Sequence, residues 1–353
     1  MTLTVKRTVA AILEKSASNL VIEEIELPKE LERGQVLVEL ISSGICGAQI
    51  NEIDAVKGPD KFLPHLLGHE GYARVLQIDS SVKNVAPGDL VVMHWRPGVG
   101  IQANPAQYTW RRSRLNAGWV TTFNKHSVVS ENRLTKLAHS NHDLSVIPLL
   151  GCALTTALGV LENDARGTFR DSLLIFGAGG VGLLLIKIAQ LIGITDITVV
   201  DLHEEKLKQA LKLGASNAIQ FVNKEETLRQ ISKVLNHNLP TIAIDTSGNI
   251  DAIEICYEIS SDNGRVVLVG VPRVGNKASI FTLPLHFGKI LTGSHGGDSK
   301  PESDIPLLME LIAAGRLNLD DYPTQIFDFN SINLAIDRLR NGTSGRMIID
   351  FNK

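Results

Sequence analysis

Cysteine is scarce in this chain. Three among 353 residues cannot build a disulfide framework, so the fold has to rest on a hydrophobic core, and a chain this long can bury a large one. An excess of one charge is also missing. The 35 basic and 38 acidic residues leave a net charge of −3, which gives no general hold on nucleic acid or an anionic membrane. No hydrophobic run reaches membrane length. The most apolar helical stretch, residues 181–194, carries Lys187 and Gln190 and is too short to span a bilayer. The opening Met-Thr-Leu-Thr-Val-Lys-Arg has no apolar signal-peptide core. Repeats and low-complexity tracts are absent. These features point to a cytoplasmic globular protein of two to three domains, with neither nucleic acid nor membrane as a partner.

The most informative stretch runs from Leu174 to Asp201. An apolar strand enters Gly177-Ala178-Gly179-Gly180-Val181-Gly182, a long apolar helix follows, and a second strand ends on Asp201. Gly177 suits a tight turn, Gly179 lets backbone approach a pyrophosphate, and Gly182 lets helix and strand pack closely. The helix N-terminus offers unpaired N–H groups and partial positive charge to phosphates. Asp201 can accept hydrogen bonds from both hydroxyls of an adenosine ribose. Its successors Leu202 and His203 are neither Arg nor Lys, so NAD is expected over NADP.

Residues 1–150 alternate apolar and polar in short runs broken at Pro28, Gly34 and Pro87-Gly88, which predicts an antiparallel β-rich domain. Between Trp95 and Lys125 the alternation stops, and a loop or lobe is expected. From Pro148 onward helical and β runs alternate, as in a doubly wound parallel sheet. The tail beyond residue 296 has no nucleotide motif and is expected to pack back onto the first domain.

Three fragments precede the nucleotide motif: Gly44-Ile45-Cys46, Gly68-His69-Glu70 and Gly151-Cys152. Thiolate and imidazole are good zinc ligands, and a catalytic zinc takes three protein ligands with one open position. Cys46, His69 and Cys152 would supply them, with Glu70 behind them or as a displaceable fourth ligand. On the residues alone, a free cysteine is as readily a small core hydrophobe.

In this order, Gly-Ile-Cys, Gly-His-Glu, Gly-Cys and Gly-Ala-Gly-Gly-Val-Gly resemble the zinc-dependent medium-chain dehydrogenase/reductase family, the alcohol and polyol dehydrogenases. The resemblance covers almost the whole chain. It implies an α/β protein: a GroES-like catalytic domain at 1–153, completed by 297–353, around a Rossmann NAD-binding domain at 154–296. It implies Cys46, His69 and Cys152 as catalytic zinc ligands. It also implies Thr156 on the nicotinamide, Lys206 near the ribose, Val269 along the cofactor and Arg346 at the pyrophosphate. The implied activity is hydride transfer between NAD(H) and a secondary alcohol, polyol or sugar-like hydroxyl, or its carbonyl. The implied assembly is a homodimer or homotetramer. Two alternatives are a lyase or reductase on the same fold and a non-catalytic NAD-binding protein.

The chain departs from that family in three ways. Residues 93–128 contain no cysteine, so one catalytic zinc and no structural zinc are expected. Ala48 stands where a Ser or Thr commonly begins proton transfer. Gln49 stands where an Asp commonly orients the zinc histidine, and its amide oxygen could still accept a hydrogen bond. That leaves Glu52, Glu70 or a water chain for the proton. All three tryptophans, Trp95, Trp110 and Trp119, fall close together among Arg96, Arg111, Arg112 and Arg114. One reading is a basic loop with a small aromatic core that replaces the zinc lobe. The other places Trp95 and Arg96 at the cleft mouth, holding a polar or anionic substrate.

Overall fold

The computed structural model describes residues 2–138, 143, 145–236 and 238–353. Three sheets organise it. In the first, Arg7–Leu13 and Val21–Glu26 form an antiparallel pair. His65–Leu66 extends it on one side, and the hairpin of Tyr108–Trp110 and Ser113–Leu115 on the other. The second is built around Gln35–Ile45. Along this strand Val36, Val38 and Leu40 enter one core while Leu37 enters another. Its period-two pattern is therefore buried on both faces.

The second sheet runs Leu134–Lys136, Leu90–Met93, Gly71–Ile78, Gln35–Ile45, Arg346–Asp350, Thr324–Asp328, with His126–Ser130 also paired to Gln35–Ile45. Two of these strands come from the tail. Arg346–Asp350 lies antiparallel to Gln35–Ile45, with Ile348 opposite Gly44 and Met347 opposite Ile45. Met347 and Ile349 are fully buried and share a core with Val36 and Ile45.

The third sheet is wholly parallel. Its order is Asn217–Gln220, Asp196–Asp201, Ser172–Phe176, Ile242–Asp245, Arg265–Leu268, Ile290–Gly293. The chain order reverses between Ser172–Phe176 and Ile242–Asp245, so a crevice opens at their carboxyl ends. Gly177 lies there with φ of +100°, and a Cβ on Gly182 would stand 1.9 Å from the Gly177 carbonyl oxygen. The helix Gly180–Ile192 follows, buries Leu183, Leu184, Leu185, Ile186 and Ile188, and stops at left-handed Gly193. No helix among the described residues is long and apolar enough to cross a membrane.

The expected class, a β-rich unit with a doubly wound parallel sheet, is the one that forms. Two local expectations need correction. The stretch 95–125 is not wholly irregular, since Tyr108–Trp110 and Ser113–Leu115 make a hairpin. Its two turn residues, Arg111 and Arg112, both have positive φ (50° and 63°). Such a turn usually advertises itself with Asn-Gly or Asp-Gly, and two arginines hide it. The first 150 residues also hold the short helices Gly47–Ile53 and Ile147–Leu150, with Ala153–Gly159 just beyond. Each is too short to develop a helical period in sequence.

Candidate active site

Each of the three sequence fragments ends at a junction between elements. Cys46 caps the helix Gly47–Ile53 as the chain leaves Gln35–Ile45. His69 lies between His65–Leu66 and Gly71–Ile78. Cys152 caps Ala153–Gly159. Their ligand atoms all lie within 4.8 Å of one another. The two sulfurs are 4.0 Å apart, close to the ~3.8 Å separation of two thiolates on a tetrahedral zinc. His69 Nε2 is buried and has no hydrogen-bond partner. An orphaned imidazole nitrogen beside two thiols fits a zinc ion, and no other group of three such ligands occurs among the described residues.

The cluster sets its own charge state. The Cys152 thiol stabilises a thiolate on Cys46 and holds its pKa well below the ordinary value, against burial and with help from Arg346 and His69. The Cys152 thiol is pushed up by the Cys46 thiolate and by burial. Burial lowers the basicity of His69, and the Cys46 thiolate more than restores it.

Glu70 stands behind the ligand group, one of its two expected places. It is fully buried, and it is not drawn into the ligand group. Its Oε1 lies 3.1 Å from Arg346 Nε, and its Oε2 accepts from Arg346 Nη2 at 3.3 Å. A buried guanidinium needs that carboxylate, so Glu70 neutralises Arg346 from behind the ligand cluster. Burial pushes its carboxyl up to about 7 against the pull of Arg346. Burial works against the Arg346 charge as well, but Glu70 and Cys46 hold the guanidinium protonated.

Close packing explains glycines near two of the ligands. A Cβ on Gly44 would lie 2.1 Å from Glu70 Oε1, and one on Gly151 would lie 2.2 Å from the Met93 carbonyl oxygen.

Arg346 also reaches toward the nucleotide motif. Its Nη1 donates to the Ile45 carbonyl at 3.3 Å and would stand 3.4 Å from a Cβ on Gly180. It is thus no surface charge. The Tyr322 hydroxyl donates to the Gly180 carbonyl at 3.1 Å. The tail therefore touches both the glycine turn and the ligand cluster.

Ala48, Gln49 and Glu52 share the helix Gly47–Ile53. Gln49 is buried, accepts from the Cys46 backbone N–H at 2.9 Å through Oε1, and turns Nε2 to His69 Nδ1. The expectation was the reverse, with the amide oxygen on the histidine. The helix-capping N–H takes that oxygen first. Glu52 keeps an exposed face, yet partial burial of its carboxyl raises its pKa, with His65 and His69 opposing.

At the parallel sheet's crevice, Gly177, Gly179, Asp201, His203 and Lys206 line one pocket with Phe176, Phe221 and Thr246. Asp201 accepts from the backbone N–H of Ala178 at 2.7 Å and of His203 at 2.9 Å, one on each oxygen. Each oxygen keeps a second lone pair for a ligand. Gly180, Val181 and Gly182 form the first turn of the helix beside it. Thr156 is buried on Ala153–Gly159, four residues after Cys152. Val269 lies just past Arg265–Leu268, its N–H donating to the Asp245 carbonyl at 2.8 Å.

Two family sequence models match this chain. An alcohol dehydrogenase GroES-like domain covers residues 32–139, and a zinc-binding dehydrogenase domain covers 180–314. The chain belongs to the zinc-dependent medium-chain alcohol dehydrogenase family. Alcohol dehydrogenase 2 of Oryza sativa subsp. japonica is 29% identical over 376 residues, covering 96% of each chain. The crystal structure of benzyl alcohol dehydrogenase from Acinetobacter calcoaceticus has the same fold, with a TM-score of 0.86 at 23% identity over 98% of this chain and 99% of that one. An alcohol dehydrogenase of E. coli CFT073, solved with NADH, gives a TM-score of 0.80 at 19% identity over 98% of this chain and all (100%) of that one. Family membership makes the chain a zinc-dependent alcohol oxidoreductase.

The structure separates the three tryptophans. Trp95 stands at the cluster, its ring centre 6.5 Å from that of His69. Trp110 is buried in the first sheet, donates to Glu23 at 2.7 Å and carries Arg111 on its face. Trp119 is exposed and lies beneath Arg133. Arg111 pairs with Glu23 and Glu14, so it is already neutralised. Arg96 is also engaged: it donates to His295 Nδ1 at 2.6 Å and to Asp298 at 3.3 Å. His295 meets the Trp95 ring edge-on at 5.0 Å. Sequence reasoning missed His295 and Asp298, whose only signal was an unassigned Ser294-His295-Gly296-Gly297 after a strand.

Proposed function

We propose that this chain is an NAD(H)-dependent zinc alcohol dehydrogenase with one zinc per chain, working in the cytosol on a secondary alcohol, polyol or sugar-like hydroxyl. The observation that carries the reading is the orphaned His69 Nε2 beside the Cys46 and Cys152 sulfurs. When bound, zinc would act as a Lewis acid on the substrate oxygen and the nicotinamide would exchange the hydride. The chain's own residues do the rest. Cys46, His69 and Cys152 would hold the metal, and Glu70 with Arg346 would set the charge behind it. Asp201 and Lys206 would hold the adenosine ribose, the Gly177–Gly182 turn and Arg346 the pyrophosphate, and Thr156 with Val269 the nicotinamide end. We take the cleft to lie between 154–296 and the unit made of 1–153 with 297–353.

Trp95 and His295 would wall the substrate side with ring faces, and Arg96 would orient His295. Arg96 and Arg111 already pair with Asp298, Glu14 and Glu23. That speaks for a neutral hydroxyl substrate over an anionic one. Ala48 has no proton to relay and Glu70 is committed to Arg346, so Glu52 is the remaining carboxylate for the alcohol proton, reached through water. We also propose self-association. The edge strand Ile290–Gly293 has one neighbour, and Phe281 and Phe287, just before it in the chain, are 71% and 73% exposed. An open edge near exposed aromatics invites a second copy.

The test is a screen of zinc-loaded protein against primary, secondary and polyhydric alcohols with NAD⁺, read as NADH absorbance, alongside Cys152→Ser. Turnover lost with the zinc in that variant, while NAD still binds, supports the reading. NAD binding with no zinc and no turnover in the wild type would leave a non-catalytic nucleotide-binding protein instead.

A further inference from the structure

Both ends of the Gln49 amide are committed. A backbone N–H can only donate, so the atom facing Cys46 N–H has to be the carbonyl oxygen. The NH₂ is then left facing His69 Nδ1. An NH₂ can only donate as well, so Nδ1 must be its acceptor and carry no proton. The single proton of the neutral ring therefore sits on Nε2. Yet Nε2 is the nitrogen that is buried without a partner, and with Nδ1 occupied it is the one left for a metal. A metal needs the lone pair of Nε2, which moves the ring proton to Nδ1. There it would meet the Gln49 NH₂, donor against donor.

We propose that Gln49 is a positioning residue that opposes zinc. Binding the metal requires the amide to turn over, giving its oxygen to His69 Nδ1–H and leaving the Cys46 N–H without its cap. Zinc occupancy is thereby coupled to the N-terminus of the Gly47–Ile53 helix. A carboxylate of the same length has two oxygens and could accept from both donors at once. This chain should accordingly hold its zinc less tightly than its ligand set allows. The inference rests on the zinc reading above.

The test measures zinc affinity of the full chain by competition with a chromogenic chelator, for wild type, Gln49→Glu and Gln49→Met. Gln49→Glu is expected to tighten zinc at least tenfold. Gln49→Met removes the donor without adding charge, so it should bind zinc as tightly as wild type or more tightly. A tenfold loss in Gln49→Met would make Gln49 a supporting partner and overturn the proposal. A second readout needs no variant. The ¹⁵N shifts of His69 should report an Nε2-protonated ring in metal-free protein and an Nδ1-protonated ring after zinc is added. An Nδ1-protonated ring in both states would also overturn it. Tight, variant-independent zinc binding sinks this inference alone, whereas no zinc in the wild type sinks the zinc reading with it.

Discussion

At the scale of single residues, Asp201 should decide the cofactor. It is 9% exposed, and its oxygens already hold the two backbone N–H groups that shape the pocket. A 2′-phosphate would meet that carboxylate with Lys206 as the one lysine or arginine lining the pocket. NAD⁺ should be favoured over NADP⁺ by ~100-fold or more in kcat/KM, since each ~1.4 kcal/mol of repulsion is a factor of ten. Asp201→Ser should narrow the ratio, and equal ratios in both proteins would remove Asp201 from the ribose. Glu52 gives a second prediction. A base must be deprotonated to work, so activity should fall as pH drops through its raised pKa. Glu52→Gln should lose that acid limb and about tenfold in kcat, with KM little changed. An unaltered pH profile would acquit Glu52. The clustering of Cys46, His69 and Cys152 and the place of Asp201 in the crevice could be anticipated, because each stands near glycines or at a strand end. Arg96 with His295 was not, because those partners lie 199 residues apart and no local pattern joins them. Gln49 was legible as a departure. The direction of its amide was not, because it depends on a backbone N–H that only the folded turn presents.

At the scale of elements, the strand Leu90–Met93 runs into a buried histidine. His94 shares its ring nitrogens with the Arg96 carbonyl at 2.8 Å and Thr135 Oγ1 at 3.0 Å. Burial lowers its pKa from 6.5 to about 4. The unfolded chain therefore binds the extra proton first as pH falls. The stabilisation is fully present above about pH 6.5 and is lost progressively toward pH 4, about 3 kcal/mol across the window. Urea midpoints of metal-free protein should fall in that range, and less steeply in His94→Gln. Parallel slopes for the two proteins would place the acid sensitivity elsewhere. The parallel sheet was readable because its strands and helices are long enough to show their periods. The hairpin turning at Arg111 and Arg112 was not. Its strands are three residues each, and its left-handed turn is built from residues that seldom adopt that conformation.

At the scale of the whole molecule, cysteine supply limits the metal. Cys46 and Cys152 lie at the cluster, while Cys256 is fully buried in a hydrophobic core beside Ile255 and Phe176. Elemental analysis should find one zinc per chain, and two tightly held ions would require ligands outside the thiols. The return of the tail was foreseen only as packing, because nothing in Arg346–Asp350 names its partner strand. Its place beside Gln35–Ile45 bears on the order in which the protein is made. Arg346 follows Ile45 by 301 residues. A growing chain can thus complete the parallel sheet while Gln35–Ile45 still lacks its neighbour Arg346–Asp350, and Glu70 its counter-charge. A chain that ends short of residue 346 would keep the parallel sheet yet lack one guanidinium at two places, behind the ligand cluster and beside Gly180.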